Sequence, residues 1–597
     1  MNVLNRICLW IIIGIMVAAA IHWLAGRYPA LRRIFGKQML FGRPNSGIKT
    51  ASGRQEKSSA RQTTGEQNGN LLTEKGLRLA VLLILYGLIA IRSIGFGRIP
   101  GGFNQDGAMG AVDALALATY GTDRFGNWLP AHFQAWGYGQ MSVLLSYLTV
   151  PFIKLWGLNS VTARLPMLLA SIAGAWALYG LIRDIFGRRG GVLALLCVAI
   201  APWHFMQSRW ALDCNMFPHM FILGLFFLNK GLQKSRYLYL SMVFFAFCMY
   251  AYGVSFYMVP VFLLASCIML LLGRRVNWKQ VLLAGIVYFG LSWPIYGTML
   301  INFMGWDTVS LPFTTMAYFP GSTRSSDIIF FSERPLTQLL YNARTLWRQV
   351  FLQKPDLLWN AIDDFGTLYQ CSMPLVLAGA GITIYQVIKG EKGKRASYGL
   401  VLIYWGTALM TGIFINYVNV NRINIIFYCH IAFACIAVYT IIKEWKRLAV
   451  GMAAVYGLLL ILFLNRYFTD WADQIETRFF SDFISAVEYA GDLEADYYYI
   501  TPDSQSDGSW WVSQILTMYA MKMDAEYFQG KTDVFRGAEV SYADRYHFGN
   551  ASGDLIQDNA NIVYVVRADR IGDYDPGRFV RKQFGNYYVV VPWQFAR

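Results

Sequence analysis

The chain has 597 residues, 55% of them hydrophobic and 15% charged, with a mean hydropathy of +0.36 and a formal net charge of +16. A soluble protein would carry about a quarter charged residues. Apolar runs long enough to cross a bilayer recur along most of the length, which excludes a soluble globular protein. The positive balance does not mark a nucleic-acid binder, because the excess lies in short Lys/Arg clusters between apolar runs, the positive-inside pattern. The eight cysteines are scattered singly, with no CxxC and no zinc spacing, and none follows Cys435.

In chain order, the apolar run at 7–24 reads as a signal anchor with its N-terminus outside. Only Arg6 precedes it, many basic residues follow, and no small-residue cleavage site is evident. Residues 27–78 hold eleven Lys/Arg, and 45–70 is rich in Gly, Ser, Thr and Gln. This predicts a disordered cytoplasmic tether that meets anionic lipid. Spans are then expected at 77–94, 162–182, 190–203, 216–229, 237–250, 254–272, 281–298, 373–389, 398–416, 423–442 and 448–464, for about twelve crossings in all. The run at 141–158 contains Pro151 and Lys154, and a crossing there would invert every later loop, so a helix on the outer surface is expected. The clusters Arg183/Arg188/Arg189, Lys230/Lys234/Arg236, Arg274/Arg275/Lys279, Lys392/Lys394/Arg395 and Lys443/Lys446/Arg447 lie inside, leaving 204–215 and 299–372 outside. From 466 onward acidic residues appear regularly and apolar runs shorten. YYYIT at 497–501, NIVYVV at 561–566 and NYYVVVP at 586–592 read as strands, and 510–523 as a helix. The expected division is an anchor helix (1–26), a basic linker (27–76), a polytopic α-helical membrane domain (77–465) and a small extracytoplasmic α/β domain (466–597).

Between two expected spans, 101–140 reads GGFNQDGAMGAVDALALATYGTDRFGNWLPAHFQAWGYGQ. A polar, aromatic loop of this length is functional or disordered, and its aromatic content argues for order. It reads as the floor of a site at the membrane surface. Asp106 and Asp213 each stand just outside a span, and two such carboxylates could hold an acceptor hydroxyl, a metal, or both. A solvated loop acid or a helix cap is the plainer alternative for each. Arg209, four residues before Asp213, could pair with it weakly on a helix or bind a phosphate. Arg422 is the only basic residue on its short outer loop, which suits a lipid phosphate or an ordinary headgroup equally. His132, Trp136, Gln140 and His204 are substrate-binding candidates. Without metal-ligand spacing, the histidines are more simply hydrogen-bonding residues. Trp128, Trp136, Trp203 and Trp210 fit a sugar-stacking wall or the interfacial aromatic belt.

An acidic residue in a long first outer loop, then HFQAWGYGQ, then a surface helix running into TARLP at 162–166, resembles the polytopic glycosyltransferases of the GT-C class. The nearest likeness is to family 39, the dolichyl-phosphate-mannose:protein mannosyltransferase-like proteins, in bacterial form. SRWALD at 208–213 and NVNRINIIFY at 419–428 are also similar, and the likeness covers about residues 77–465. The resemblance implies a polyprenyl-phosphate sugar donor, used outside the cytoplasm and transferred with inversion to a hydroxyl of a protein or cell-envelope glycan acceptor. No cofactor is assigned, with a divalent metal as a candidate. Asp106 matches the acidic position of the first loop, where many relatives carry Asp-Glu. Here Gly107 follows, and the second carboxylate is missing. Arg422 matches a basic residue near the start of a late span. The rival class is a transporter of polysaccharide or lipid-linked sugar, which would use the same surface without chemistry. It is disfavoured by the lack of internal or inverted repeats and by polar clusters at the span edges rather than mid-span.

Overall fold

The computed structural model describes residues 2–27, 74–135, 139–320, 329, 334–504, 510–535 and 537–596. The tether expected at 27–76 lies almost wholly outside the described residues. The apolar runs fold as helices, since backbone groups deprived of water must pair within their own segment. In order these are α1 (Asn2–Arg27), α2 (Glu74–Ser93), α3 (Gln105–Tyr120), the hairpin β1 (Phe133–Ala135) and β2 (Gly139–Met141), α4 (Leu144–Trp156), α5 (Ser160–Ile200), α6 (Pro202–Gln207), α7 (Asp213–Gly231), α8 (Ser235–Ala251), α9 (Ser255–Leu272) and α10 (Trp278–Met304). There follow the hairpin β3 (Val309–Leu311) and β4 (Thr314–Met316), then α11 (Pro335–Leu346), α12 (Met373–Lys389), α13 (Arg395–Phe414), the single turn α14 (Val420–Ile423), α15 (Ile426–Glu444) and α16 (Leu448–Phe468).

Among the described residues, nine helices are long and apolar enough to cross a membrane. One of them, α5, breaks at Gly187, whose φ of +77° is open to glycine. Gly191 then lies against Tyr179 and Arg183, so the chain folds back. That single helix accounts for the two runs at 162–182 and 190–203. With α7 (19 residues) and α8 (17 residues) in the bundle, the path follows the runs read from the sequence. The 13-residue α4 is about 20 Å long, short of the ~30 Å hydrocarbon core. It starts with its buried Leu144, Leu145 and Ser146 against the bundle and ends with exposed Leu155 and Trp156. The central helices are α7 and α15, each buried along most of its length.

The C-terminal region begins with two short helices, α17 (Asp470–Arg478) and α18 (Ser481–Gly491), ahead of the sheet. Then come β5 (Tyr497–Ile500), α19 (Trp510–Ala520), the hairpin β6 (Thr532–Phe535) and β7 (Ala538–Ser541), β8 (Tyr546–Phe548), β9 (Ile562–Arg567), β10 (Phe579–Phe584) and β11 (Tyr587–Pro592). The five-stranded sheet has the order β10-β11-β9-β5-β8, with β5 parallel to both neighbours and the other pairs antiparallel. The three strands and the helix read from the sequence are present. The two edge strands were not read, since β8 is three residues long and FVRKQF in β10 is interrupted by three consecutive polar residues. This domain sits on the first long loop. The Tyr519 ring of α19 lies 4.5 Å from Phe103, the Tyr120 hydroxyl donates to Asp524 at 2.8 Å, and Phe125 packs on Phe528 at 5.0 Å.

Candidate active site

The loop at 101–140 is ordered from within. Asn104 caps α3 by accepting the Asp106 N–H at 3.0 Å, and Gly121 closes the helix with φ +74°. Asp113 and Arg124 form a fully buried ion pair, and Arg124 also donates to the Gln134 carbonyl at 2.7 Å. Burial pushes the Asp113 carboxyl up to about 6 even beside Arg124. Asp123 accepts the N–H groups of Phe125 and Asn127 and the Asn127 amide, which folds 122–128 into a compact turn. The hairpin β3–β4 then closes over it. Ala131 N–H donates to Thr315 O at 2.9 Å, Thr315 N–H to Leu129 O at 3.2 Å, and the Trp128 indole to Pro312 O at 2.9 Å.

Three of the sequence candidates are carried on element starts that meet. Asp106 lies half-buried in the first turn of α3, and Asp213 begins α7. Gly107 faces the Ala211 carbonyl so closely that a Cβ would collide with it. The two helix starts therefore approach backbone to backbone, and Gly107 cannot be exchanged for a glutamate without moving α7. The close Ala211 carbonyl leaves no room for a side chain at the residue that follows Asp106. The amide of Asn424 donates to the Cys214 carbonyl at 3.0 Å, which joins the turn carrying Arg422 to the start of α7. Arg422 is half-buried, donates to Asn416 O at 2.6 Å, and lies within electrostatic reach of Tyr257 in the first turn of α9. The next ring in that turn, Phe256, stands edge-on to His132 at 5.5 Å. His132 and Gln140 are buried at the base of the β1–β2 hairpin, where Gln140 pairs with Gln134. Trp136, in the hairpin's connection, lies outside the described residues. One carboxylate the sequence did not single out, Asp356, accepts the Val420 N–H at 3.3 Å beside the Arg422 turn.

Two candidates lie in the interior instead. Arg209 is fully buried and spends its guanidinium on the carbonyls of Arg92, Ile94 (2.6 Å) and Ile99 (3.0 Å) and on the Tyr467 hydroxyl (3.1 Å). The helical spacing expected to pair it with Asp213 is absent, because the chain turns at 208–212. Arg164, from TARLP, does the same for Gly97, Pro100 and Gly102. Together the two arginines clamp the stretch 92–102 that delivers Asp106. Their burial was not legible because an arginine bound to carbonyls leaves no sequence pattern. His204 does not face outward either. Arg92 donates to its Nδ1 at 2.9 Å, so Nε2 carries the proton and faces Ser171 O (3.2 Å) and the Tyr428 hydroxyl (3.1 Å). Tyr428 in turn reaches His219 Nδ1 at 2.8 Å. Burial, then the Arg92 charge, holds the His204 imidazole well below its usual range, so it is a neutral link in a buried chain. Trp203 and Trp210 are core residues, at 0% and 1% exposure, and form neither an outer wall nor a belt.

Two apolar crevices open in the bundle. One, of 260 Å³, runs between α5, α12, α15 and α16, lined by Leu196, Leu375, Ile431, Val438 and Met452, with Tyr369, Ser372 and Tyr456 as its hydroxyl residues. The other, of 280 Å³, lies between α8, α9 and α10 near Leu238, Leu263 and Tyr288. Among the described residues, no group of three or more His, Cys, Asp and Glu is placed to hold a metal ion.

Residues 141–317 match the family model described as dolichyl-phosphate-mannose-protein mannosyltransferase. No curated protein matches the chain. Among solved structures, ArnT from Cupriavidus metallidurans in the apo state is similar at a TM-score of 0.50 and 12% identity, over 87% of this chain and 98% of that one. The same protein bound to undecaprenyl phosphate gives 0.49 and 12%, over 87% and 99%. The Archaeoglobus fulgidus oligosaccharyltransferase in the apo form gives 0.48 and 12%, over 83% and 70%. The resemblance to the GT-C class read from the motifs is borne out, and the fold is that of a GT-C membrane protein with a small C-terminal sheet domain.

Proposed function

We propose that the chain is a glycosyltransferase that takes a sugar from a polyprenyl-phosphate-linked donor and passes it, with inversion, to an acceptor hydroxyl on the extracytoplasmic face. The observation that carries this reading is the meeting of the Asp106 and Asp213 helix starts with the Arg422 turn, joined by the Gly107–Ala211 contact and the Asn424–Cys214 hydrogen bond. Asp106 and Arg422 are half-buried and Asp213 is buried, and the apolar crevices of the bundle suit a lipid tail. The crevice on α15 begins at Ile431, about two turns from Asn424. ArnT, whose fold the chain shares, has also been solved with undecaprenyl phosphate bound.

In this mechanism the acceptor oxygen attacks the anomeric carbon from the face opposite the phosphate. The new glycosidic C–O bond forms as the C–O bond to the phosphate breaks, and the electron pair leaves on the polyprenyl phosphate. Asp106 takes the acceptor proton. Arg422 balances the charge growing on the phosphate. Asp213 orients the acceptor, while His132 and Gln140 serve the sugar. Arg209 acts at a distance, by holding the carbonyls that place Asp106. Asp106→Asn keeps the shape of the side chain but cannot take a proton. Turnover is expected to fall about a hundredfold or more, with donor binding nearly intact and a smaller loss for Asp213→Asn. If Asp213→Asn loses turnover and Asp106→Asn keeps it, the base is Asp213.

A further inference from the structure

Away from the helix starts, the C-terminal domain holds a cleft of 560 Å³ between the α17–α18 turn and the edge of the sheet. This is within the range of about 300–1,000 Å³ typical of small-ligand sites. Its charged lining balances, with Arg478 and Arg567 against Asp482 and Asp569. Arg567 is already paired, at 2.6 Å to Asp503 and 3.3 Å to Asp569. A cleft for a phosphate or a polyanion would instead carry surplus positive charge. The rest of the wall includes Thr477, Ser481, Ser504 and Asn586, with the buried Phe480 and Tyr587. Donors and acceptors in near-equal number beside aromatic residues match a neutral polyhydroxylated ligand, whose hydroxyls both donate and accept and whose C–H faces are apolar.

The turn that forms one wall also holds the approach to Asp106. Phe479 O accepts the Phe103 N–H at 2.6 Å. Gly102, at φ +68°, presses so close to that carbonyl that no other residue fits, and Gly101 packs on the Glu476 side chain. The cleft and the stretch leading to Asp106 are therefore opposite faces of one turn.

We infer that this cleft binds a neutral oligosaccharide segment of the acceptor, an assignment whose acceptor part rests on the transferase reading above. The test presents the purified full-length chain in detergent to an array of neutral, anionic and amino oligosaccharides, beside two variants. Asn586→Trp, at an exposed turn, fills the cleft. Arg478→Ala removes one donor from an exposed helix end. Thermal unfolding checks that both variants fold. Wild type is expected to bind neutral glycans, Asn586→Trp to lose that binding at least tenfold, and Arg478→Ala to weaken it. Binding confined to anionic glycans, no glycan bound, or equal binding by folded Asn586→Trp would overturn the inference. Release of lipid phosphate from polyprenyl-phosphate sugars is read on the same preparation. Release without cleft-dependent binding sinks the cleft and spares the transferase. Cleft-dependent binding without release overturns the cleft's assignment to an acceptor.

Discussion

Arg209 and Arg422 were indistinguishable as phosphate candidates in the sequence, and their surroundings separate them. Arg209 has its donors on three carbonyls and a tyrosine hydroxyl, inside the protein. Removing it leaves buried acceptors unsatisfied, at about 1–3 kcal/mol for each group left unmade. Arg209→Ala is therefore expected to lower the unfolding temperature by several degrees, whatever donor is present. Arg422 is half-buried, on a turn of a single helical revolution. Arg422→Ala is expected to keep the unfolding temperature and to weaken donor use by about 1.5–3 kcal/mol, the worth of a hydrogen bond to a charged group. Lysine should rescue only in part, since it lacks the bidentate fork. A stable Arg209→Ala protein with weakened donor use would return the phosphate to Arg209. At this scale the sequence exposed residue types and their order but not their burial. Trp203, His204 and Trp210 read as outer-surface residues because they stand at or just beyond the end of a span, yet the chain turns inward through α6 and the turn after it and takes them into the core.

Elements were more legible than residues, because hydrophobic runs and caps are local. The runs at 162–182 and 190–203 were separable by the charged, glycine-containing stretch between them, and Gly187 is where α5 folds back. The spatial joining of α3 and α7 was not legible, since it depends on Gly107 meeting a carbonyl more than a hundred positions away. The lack of room for a side chain beside Asp106 was therefore hidden too. Gly107→Ala supplies the test. A single methyl forced against the Ala211 carbonyl should cost about 1–3 kcal/mol of stability and displace Asp106 from α7, with turnover falling further than stability alone explains. Wild-type turnover and stability in Gly107→Ala would show that the two helix starts are not coupled.

For the whole molecule, the orientation proposed from the Lys/Arg clusters between the apolar runs can be tested directly. Ser310 and Ser552 are exposed on the side expected to be outside, Gln233 and Lys392 on the side expected to be inside. Cysteines placed at 310 and 552 should react with an impermeant reagent in intact cells, and those at 233 and 392 only after lysis. The reverse pattern would move the site to the cytoplasm. The bundle and the C-terminal sheet were readable in outline from hydropathy and strand composition. The docking of that sheet on the first loop, through Phe103–Tyr519 and Tyr120–Asp524, was not, because contacts between distant segments leave no periodic trace. Transfer of a sugar from a lipid phosphate remains the claim on which the rest depends. It is tested most directly by incubating the purified chain with a panel of polyprenyl-phosphate sugars and an acceptor mixture, and measuring free polyprenyl phosphate. Release from one donor is expected, dependent on acceptor and reduced about a hundredfold or more in Asp106→Asn. Passage of intact lipid-linked sugar across a vesicle membrane, with no lipid phosphate released from any donor, would contradict it.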